Sequence, residues 1–306
     1  MSISPSVLPS NANLPKGISR IRALPDQDLA ALWDSIILDD DIKARMLNQA
    51  VLNFTIRRRV KRTVLPLHGV ILLVGAPGTG KTSLARGLAS KVAASFSKGP
   101  AFQLVEIEPH TLTSSAQGKT QRAVSELFSQ AISEAAVRGP TIVLLDEVET
   151  LAADRSKMSM EANPVDIHRA TDAVLVQLDA LAELHTNLLF VATSNFPQAV
   201  DGAFISRSDL VLEVPLPNEA ACGRILKDCL MGLSVTYSDL ANLTVAPKFK
   251  DCVQACVGLD GRAIRKMVAN ALASTPQTAT NPNAVTIDDL LNAAKAAHAN
   301  RTKVKS

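Results

Sequence analysis

The chain has 306 residues, enough for one large domain and a smaller one; 47% are hydrophobic and only 3% aromatic, so its core must be Leu, Val, Ile and Ala, as in parallel α/β sheets. A net charge of +3 is too weak to argue for nucleic acid by itself. No apolar run reaches the ~18 residues that a membrane helix needs, which excludes an integral membrane class of that kind.

In chain order, residues 1–30 read as a flexible Pro/Ser-rich tail without the apolar centre of a signal peptide, so a cytoplasmic location is the default. Trp33 to Leu38 is the first apolar cluster. Helical spacing of Ile42, Met46, Leu47, Ala50, Val51 and Phe54 predicts a helix over about 40–60. It ends in a basic run, Arg57 to Arg62, which is either a solvated helix end favouring cations or a polyanion or subunit contact. An apolar strand, Val70 to Val74, then runs into Gly75-Ala76-Pro77-Gly78-Thr79-Gly80-Lys81-Thr82 and a helical pattern from Ser83.

That stretch is a complete phosphate loop in its proper strand–loop–helix setting. Its glycines let consecutive N–H groups turn inward on an anion at a helix N-terminus. Lys81 supplies charge to the outer phosphates of ATP, the Thr82 hydroxyl is placed for Mg²⁺, and Gly75, Pro77, Gly78, Thr79, Gly80 and Ser83 complete the expected nucleotide contacts.

Strand 102–107, a polar loop with His110, and a helix over about 120–137 follow. The next apolar strand, Thr141 to Leu145, ends in Asp146-Glu147, the acidic partner of a phosphate loop. Asp146 is expected to hold Mg²⁺ through its water shell and Glu147 to take a proton from the attacking water. A fourth strand, 187–193, ends in Thr193-Ser194-Asn195, where an amide at the tip of a buried strand is positioned beside the outer phosphate, or simply caps the strand. A fifth strand, 210–214, closes the set. Pro215 and Pro217 mark a boundary, beyond which the pattern is helical to about residue 300 and then a short basic tail. The division is therefore a tail over 1–30, an α/β domain over 31–215, a helical domain over 216–300 and a tail over 301–306.

Cys222, Cys229, Cys252 and Cys256 show no C-x-x-C pattern, and the five histidines are scattered. Buried reduced thiols are expected rather than zinc.

The ordered set of phosphate loop, Leu145-Asp146-Glu147, Thr193-Ser194-Asn195, Asp201 to Arg207 and Gly258 to Arg262 resembles the AAA+ ATPases. The variants Leu32 to Ile36, Asp146 to Arg155, Thr193 to Phe196 and Gly258 to Lys266 are similar to the pachytene checkpoint protein 2 family, called thyroid hormone receptor interactor 13 in animals. The resemblance implies a five-stranded parallel α/β domain with a small helical lid, adenine near Ile36 and Ile37, and a homo-hexameric ring. It implies ATP-driven remodelling of HORMA-domain proteins. The short N-terminal stretch resembles bacterial members found beside HORMA proteins and cyclic-oligonucleotide synthases in anti-phage operons. Carried over by position, Asn195 is the sensor 1 residue and Arg262 the sensor 2 residue, with Arg265 as the fallback and a pair with Asp260 as the plain reading of Arg262. Arg207 matches the arginine finger acting in a neighbouring subunit, the alternative being a surface ion pair with Asp209. The substrate-gripping pore loop falls on Ser114, Ser115, Ala116 and Gln117, without the usual aromatic, and a second one on 156–163 with Met158 and Met160. A nucleic-acid-linked ATPase of the clamp- or helicase-loader type is the alternative function, supported by the basic run and the positive charge.

Overall fold

The computed structural model describes residues 14–96, 98–112, 119–153 and 164–305. Two compact units result: residues up to Gly75 together with Lys81–Glu213, and Ala76–Gly80 together with Val214–Ser306.

The first unit begins with β1 (Ile18–Leu24), α1 (Gln27–Ser35) and α2 (Asp40–Ile56). It continues with β2 (Val70–Val74), α3 (Lys81–Ser95) and β3 (Phe102–Ile107). A long helical stretch follows: α4 (Lys119–Glu126), a π-helical segment (Leu127–Ile132) and α5 (Ser133–Arg138). The remainder is β4 (Thr141–Leu145), α6 (Pro164–Leu184), β5 (Leu188–Ser194), the short α7 (Gly202–Ser206) and β6 (Leu210–Glu213).

The strands form one six-stranded sheet in the order β1-β3-β4-β5-β2-β6. Every residue of β2, β3, β4 and β5 is buried, as expected for strands covered on both faces. The five parallel strands are the expected ones; the sixth is a correction. β1 pairs antiparallel with β3, Ile21 opposite Val105. It lies in the stretch read as tail, as does the first turn of α1. Its apolar residues Ile18, Ile21 and Leu24 are three apart rather than two; a register shift between Ile18 and Arg20 accounts for the first interval, and the pairing from Arg20 to Leu24 is regular. The alternation that betrays a strand is lost. The expected tail residues 1–13 lie outside the described residues.

Packing of α1 on α3 is close. Trp33 is buried, and a β-carbon on Gly87 of α3 would stand 2.6 Å from the Trp33 β-carbon, so only glycine fits there. Arg57, at the end of α2, overturns the reading of a solvated helix end for that residue. It is 8% exposed and donates to the carbonyls of Leu188 at 2.6 Å and Ala182 at 3.1 Å. Burial lowers its pKa to about 10.

The second unit packs α8 (Glu219–Ser234), a 3₁₀ segment (Ser238–Val245), α9 (Phe249–Cys256), α10 (Gly261–Leu272), α11 (Pro276–Thr280) and α12 (Ile287–Lys305). Its core includes Leu226, Leu230, Ile264, Met267, Leu290 and the reduced thiols of Cys222, Cys252 and Cys256. Burial pushes the Cys252 thiol up to about 11 and that of Cys256 to about 12. α12 continues to Lys305, where a frayed tail was expected. The loop Ala76–Gly80 belongs with this unit. Gly78 has φ +83°, and a β-carbon there would collide with the carboxylate of Asp260, the residue that caps α10 through the Ala263 amide at 2.9 Å.

No described helix is long and apolar enough to cross a membrane.

Candidate functional site

In a parallel sheet, ligands bind beyond the carboxyl ends of the strands. β5 lies between β4 and β2, with Ala192 opposite Leu145 and Ser194 opposite Val74. The chain leaving β2 is the phosphate loop, that leaving β4 is Asp146-Glu147, and that leaving β5 is Asn195. Strand order thus brings together three motifs far apart in sequence.

Lys81 opens α3 and is 5% exposed. Its Nζ donates to the Gly75 carbonyl at 3.0 Å and to Asn195 Oδ1 at 2.7 Å. The other end of the Asn195 amide, Nδ2, donates to Glu147 Oε1 at 3.1 Å. One side chain therefore spans from the phosphate-loop lysine to the candidate base. The Asn195 backbone N–H is tied to Glu149 Oε1 at 3.1 Å, which fixes where the amide stands.

Asp146 Oδ1 accepts from the Thr82 hydroxyl at 2.8 Å and the Thr193 hydroxyl at 2.5 Å. Hydroxyl and carboxylate oxygens are the hard donors that Mg²⁺ prefers, so the pair Thr82 and Asp146 fits that ion. Thr193 also accepts the Glu147 backbone N–H at 3.1 Å. This bond holds Glu147 in a left-handed backbone, φ 53° and ψ 55°, found at no other non-glycine among the described residues. Such a conformation costs about 1–2 kcal/mol and turns the side chain off the strand axis.

Two contributors were missed in the sequence. Thr193 stands in the sequence only as part of the Thr193-Ser194-Asn195 motif; a hydroxyl near the end of an otherwise apolar strand is the signal for it. His110 stands in the loop after β3, and its Nε2 lies 3.1 Å from Glu147 Oε2. Nothing in the local sequence points to that contact, because it depends on β3 lying beside β4. A cleft of about 640 Å³ opens here, lined by Arg22, Arg86, Glu106, His110, Asp146 and Glu147 among others. Glu106 is 5% exposed and held by Arg86 at 2.7 Å.

The remaining expected residues stand elsewhere. Ser83 is half-buried in the first turn of α3, and Ile36 and Ile37 are half-buried just after α1. Arg262 is exposed in the first turn of α10, in the second unit, and Arg265 is exposed one turn on. Arg207 is outside the strand-tip network. It does not pair with Asp209, which instead accepts the backbone N–H groups of His68, Gly69 and Val70 at 2.8, 2.7 and 3.1 Å. Arg207 pairs with Asp179 at 2.7 Å. Ser114, Ser115, Ala116 and Gln117, like 156–163, lie outside the described residues.

The profile of the ATPase family associated with various cellular activities (AAA) matches residues 71–216. CD-NTase-associated protein 6 of Pseudomonas aeruginosa is 66% identical over 288 residues, 94% of each chain. The pachytene checkpoint protein 2 homolog of Homo sapiens is 30% identical, covering 93% of this chain and 71% of the human one. Among solved structures, C. elegans PCH-2 superposes with a TM-score of 0.73 at 26% identity, over 92% of this chain and 75% of that one. A chain of the E. coli MS115-1 HORMA:CdnC:Trip13 complex gives 0.71 at 19% identity, over 91% and 95%, a likeness of fold alone. With its strand-tip constellation and these relatives, the chain belongs to the AAA ATPases, on the branch of pachytene checkpoint protein 2.

Proposed function

We propose that the chain hydrolyses ATP to ADP and phosphate and couples this to opening a HORMA-domain protein, thereby switching off signalling by a CD-NTase, the nucleotide second-messenger synthase class named in its Pseudomonas relative. The observation that carries the hydrolytic part is the Lys81–Asn195–Glu147 chain of hydrogen bonds at adjacent strand tips. The 66% identity to a CD-NTase-associated protein supports the biological part.

Glu147 takes the proton of a water as its oxygen attacks the γ-phosphorus, and the bond to the β-phosphate oxygen breaks to release ADP. Asn195 keeps the Glu147 carboxylate turned toward that water. Lys81 offsets charge on the phosphates. Thr82 and Asp146 would hold Mg²⁺, whose contribution when bound is to neutralise charge on the phosphate oxygens. Arg262 contributes a nucleotide contact, and Arg207 acts on nucleotide held by a second copy in a ring, where an arginine in trans is worth roughly 10³–10⁵ in rate. The nucleic-acid alternative has less support than its basic run promised, since Arg57 is spent on carbonyls and Arg62 stands 3.5 Å from Asp179.

The test is an ATPase assay with and without a HORMA-domain protein, and with single-stranded DNA. Stimulation by the HORMA protein is expected. Stimulation by DNA with none by the HORMA protein would overturn the proposal in favour of the loader type.

A further inference from the structure

Asp179 lies on α6, away from the phosphate loop in sequence and outside every motif read from the chain. It grips Arg207 side-on: Nε donates to Oδ1 at 3.0 Å and Nη2 to Oδ2 at 2.7 Å. Arg207 Nη1 donates to the Ala203 carbonyl at 2.9 Å. A guanidinium has five N–H groups. These bonds use one on each nitrogen, leaving one on Nη1 and one on Nη2. That remaining pair is the fork with which arginine takes a phosphate or carboxylate end-on.

Asp179 is itself held from two further directions. Arg62 Nη2 lies 3.5 Å and His68 Nε2 3.4 Å from its Oδ1. The bond from Arg207 keeps its carboxyl below the usual carboxylate range, and the same bond raises the arginine. His68 precedes the strand that carries the phosphate loop, and the backbone there is clamped by Asp209. The guanidinium therefore sits in a frame made by α6, α7 and the approach to β2, with its rotamer chosen before any second molecule arrives.

We propose that Asp179 is a positioning residue for catalysis in trans: by gripping Arg207 side-on it leaves the end-on N–H pair directed at the phosphate of a nucleotide held by a second copy of this chain. The proposal rests on reading Arg207 as the group that acts in a neighbouring site. A misplacement of about 1 Å in such a group costs on the order of a hundredfold in rate.

The experiment uses mixed assemblies of the full chain. Asp179→Asn alone should lower kcat about tenfold to a hundredfold with KM for ATP unchanged, and Asp179→Glu should recover part of the loss. Mixing Asp179→Asn with Glu147→Gln should raise turnover per Asp179→Asn subunit, because intact sites then meet intact arginines. Arg207→Ala mixed with Glu147→Gln is the reference. If Arg207→Ala is rescued and Asp179→Asn has wild-type kcat, a raised KM or no rescue, the positioning role is overturned while the trans reading stands. If Arg207→Ala is not rescued, the trans reading falls and the proposal with it. Should Asp179→Asn not fold, the kcat, KM and rescue of Asp179→Glu decide the same question.

Discussion

Two carboxylates in the first unit are treated in opposite ways. Glu147 is held by an amide at 3.1 Å and an imidazole at 3.1 Å, with its side chain 46% exposed. Asp179 is held by a bidentate guanidinium, with a second guanidinium and an imidazole nearby. A group that must accept a proton needs a lone pair within reach of water, and amide and imidazole donors orient it without the strong opposing charge of an arginine. A group that must hold another side chain still is served by charge-assisted bonds, roughly twice as strong as neutral ones. The backbone follows the same division. Glu147 sits in a strained left-handed turn and Asp179 within a regular helix.

The largest effect that tests this contrast comes from Glu147→Gln. Removal of the base should cost roughly 10²–10⁴ in turnover while ATP-analogue binding stays as in the wild type. Normal hydrolysis by this variant would remove Glu147 from its role. Asn195→Ala comes next. It frees Glu147 Oε1 and withdraws a partner of Lys81, so kcat should fall about a hundredfold with little change in melting temperature. A loss seen only in KM would mean that the amide serves ground-state binding instead.

His110→Ala removes one hydrogen bond to a half-exposed carboxylate, and about 1 kcal/mol predicts a loss of roughly fivefold in kcat. An effect as large as that of Asn195→Ala would make the imidazole an equal support and blur the contrast. Smallest is the pH dependence of stability at Asp179. Its folded pKa is depressed, so its contribution is fully present above the ordinary carboxylate value and is lost as pH falls through the lowered folded value. The difference in melting temperature between the wild type and Asp179→Asn should therefore shrink on acidification. A difference independent of acid pH would mean that charge is not what Asp179 contributes to the fold.

Much of this arrangement was legible in the residues. The phosphate loop declares itself because only glycine-rich backbone between an apolar strand and a helix can wrap an anion. Asp146-Glu147 and Asn195 stand at the ends of apolar runs, where a parallel sheet exposes its ligand side. β1 was not legible, since a register shift spoils its alternation and its polar Ser19, Arg20 and Arg22 read as tail. Arg57 was misread because charge alone signals solvent, whereas the carbonyls that receive it belong to residues 131 and 125 positions away.

The order of residues by itself determined which local chemistry exists: the glycine-rich loop, the acidic pair, the amide and the arginine at 207. Tertiary structure decided who touches whom. His110 meets Glu147 because β3 lies beside β4, and Asn195 reaches both Lys81 and Glu147 because β5 separates β2 from β4. Arg207 turns to Asp179, 28 positions earlier in the chain, rather than to nearby Asp209, whose oxygens are spent on the backbone entering β2. The physical reason is the same in each case. A side chain's type sets which bonds it can make, while the packing of the strands and helices sets which partner lies within 3 Å.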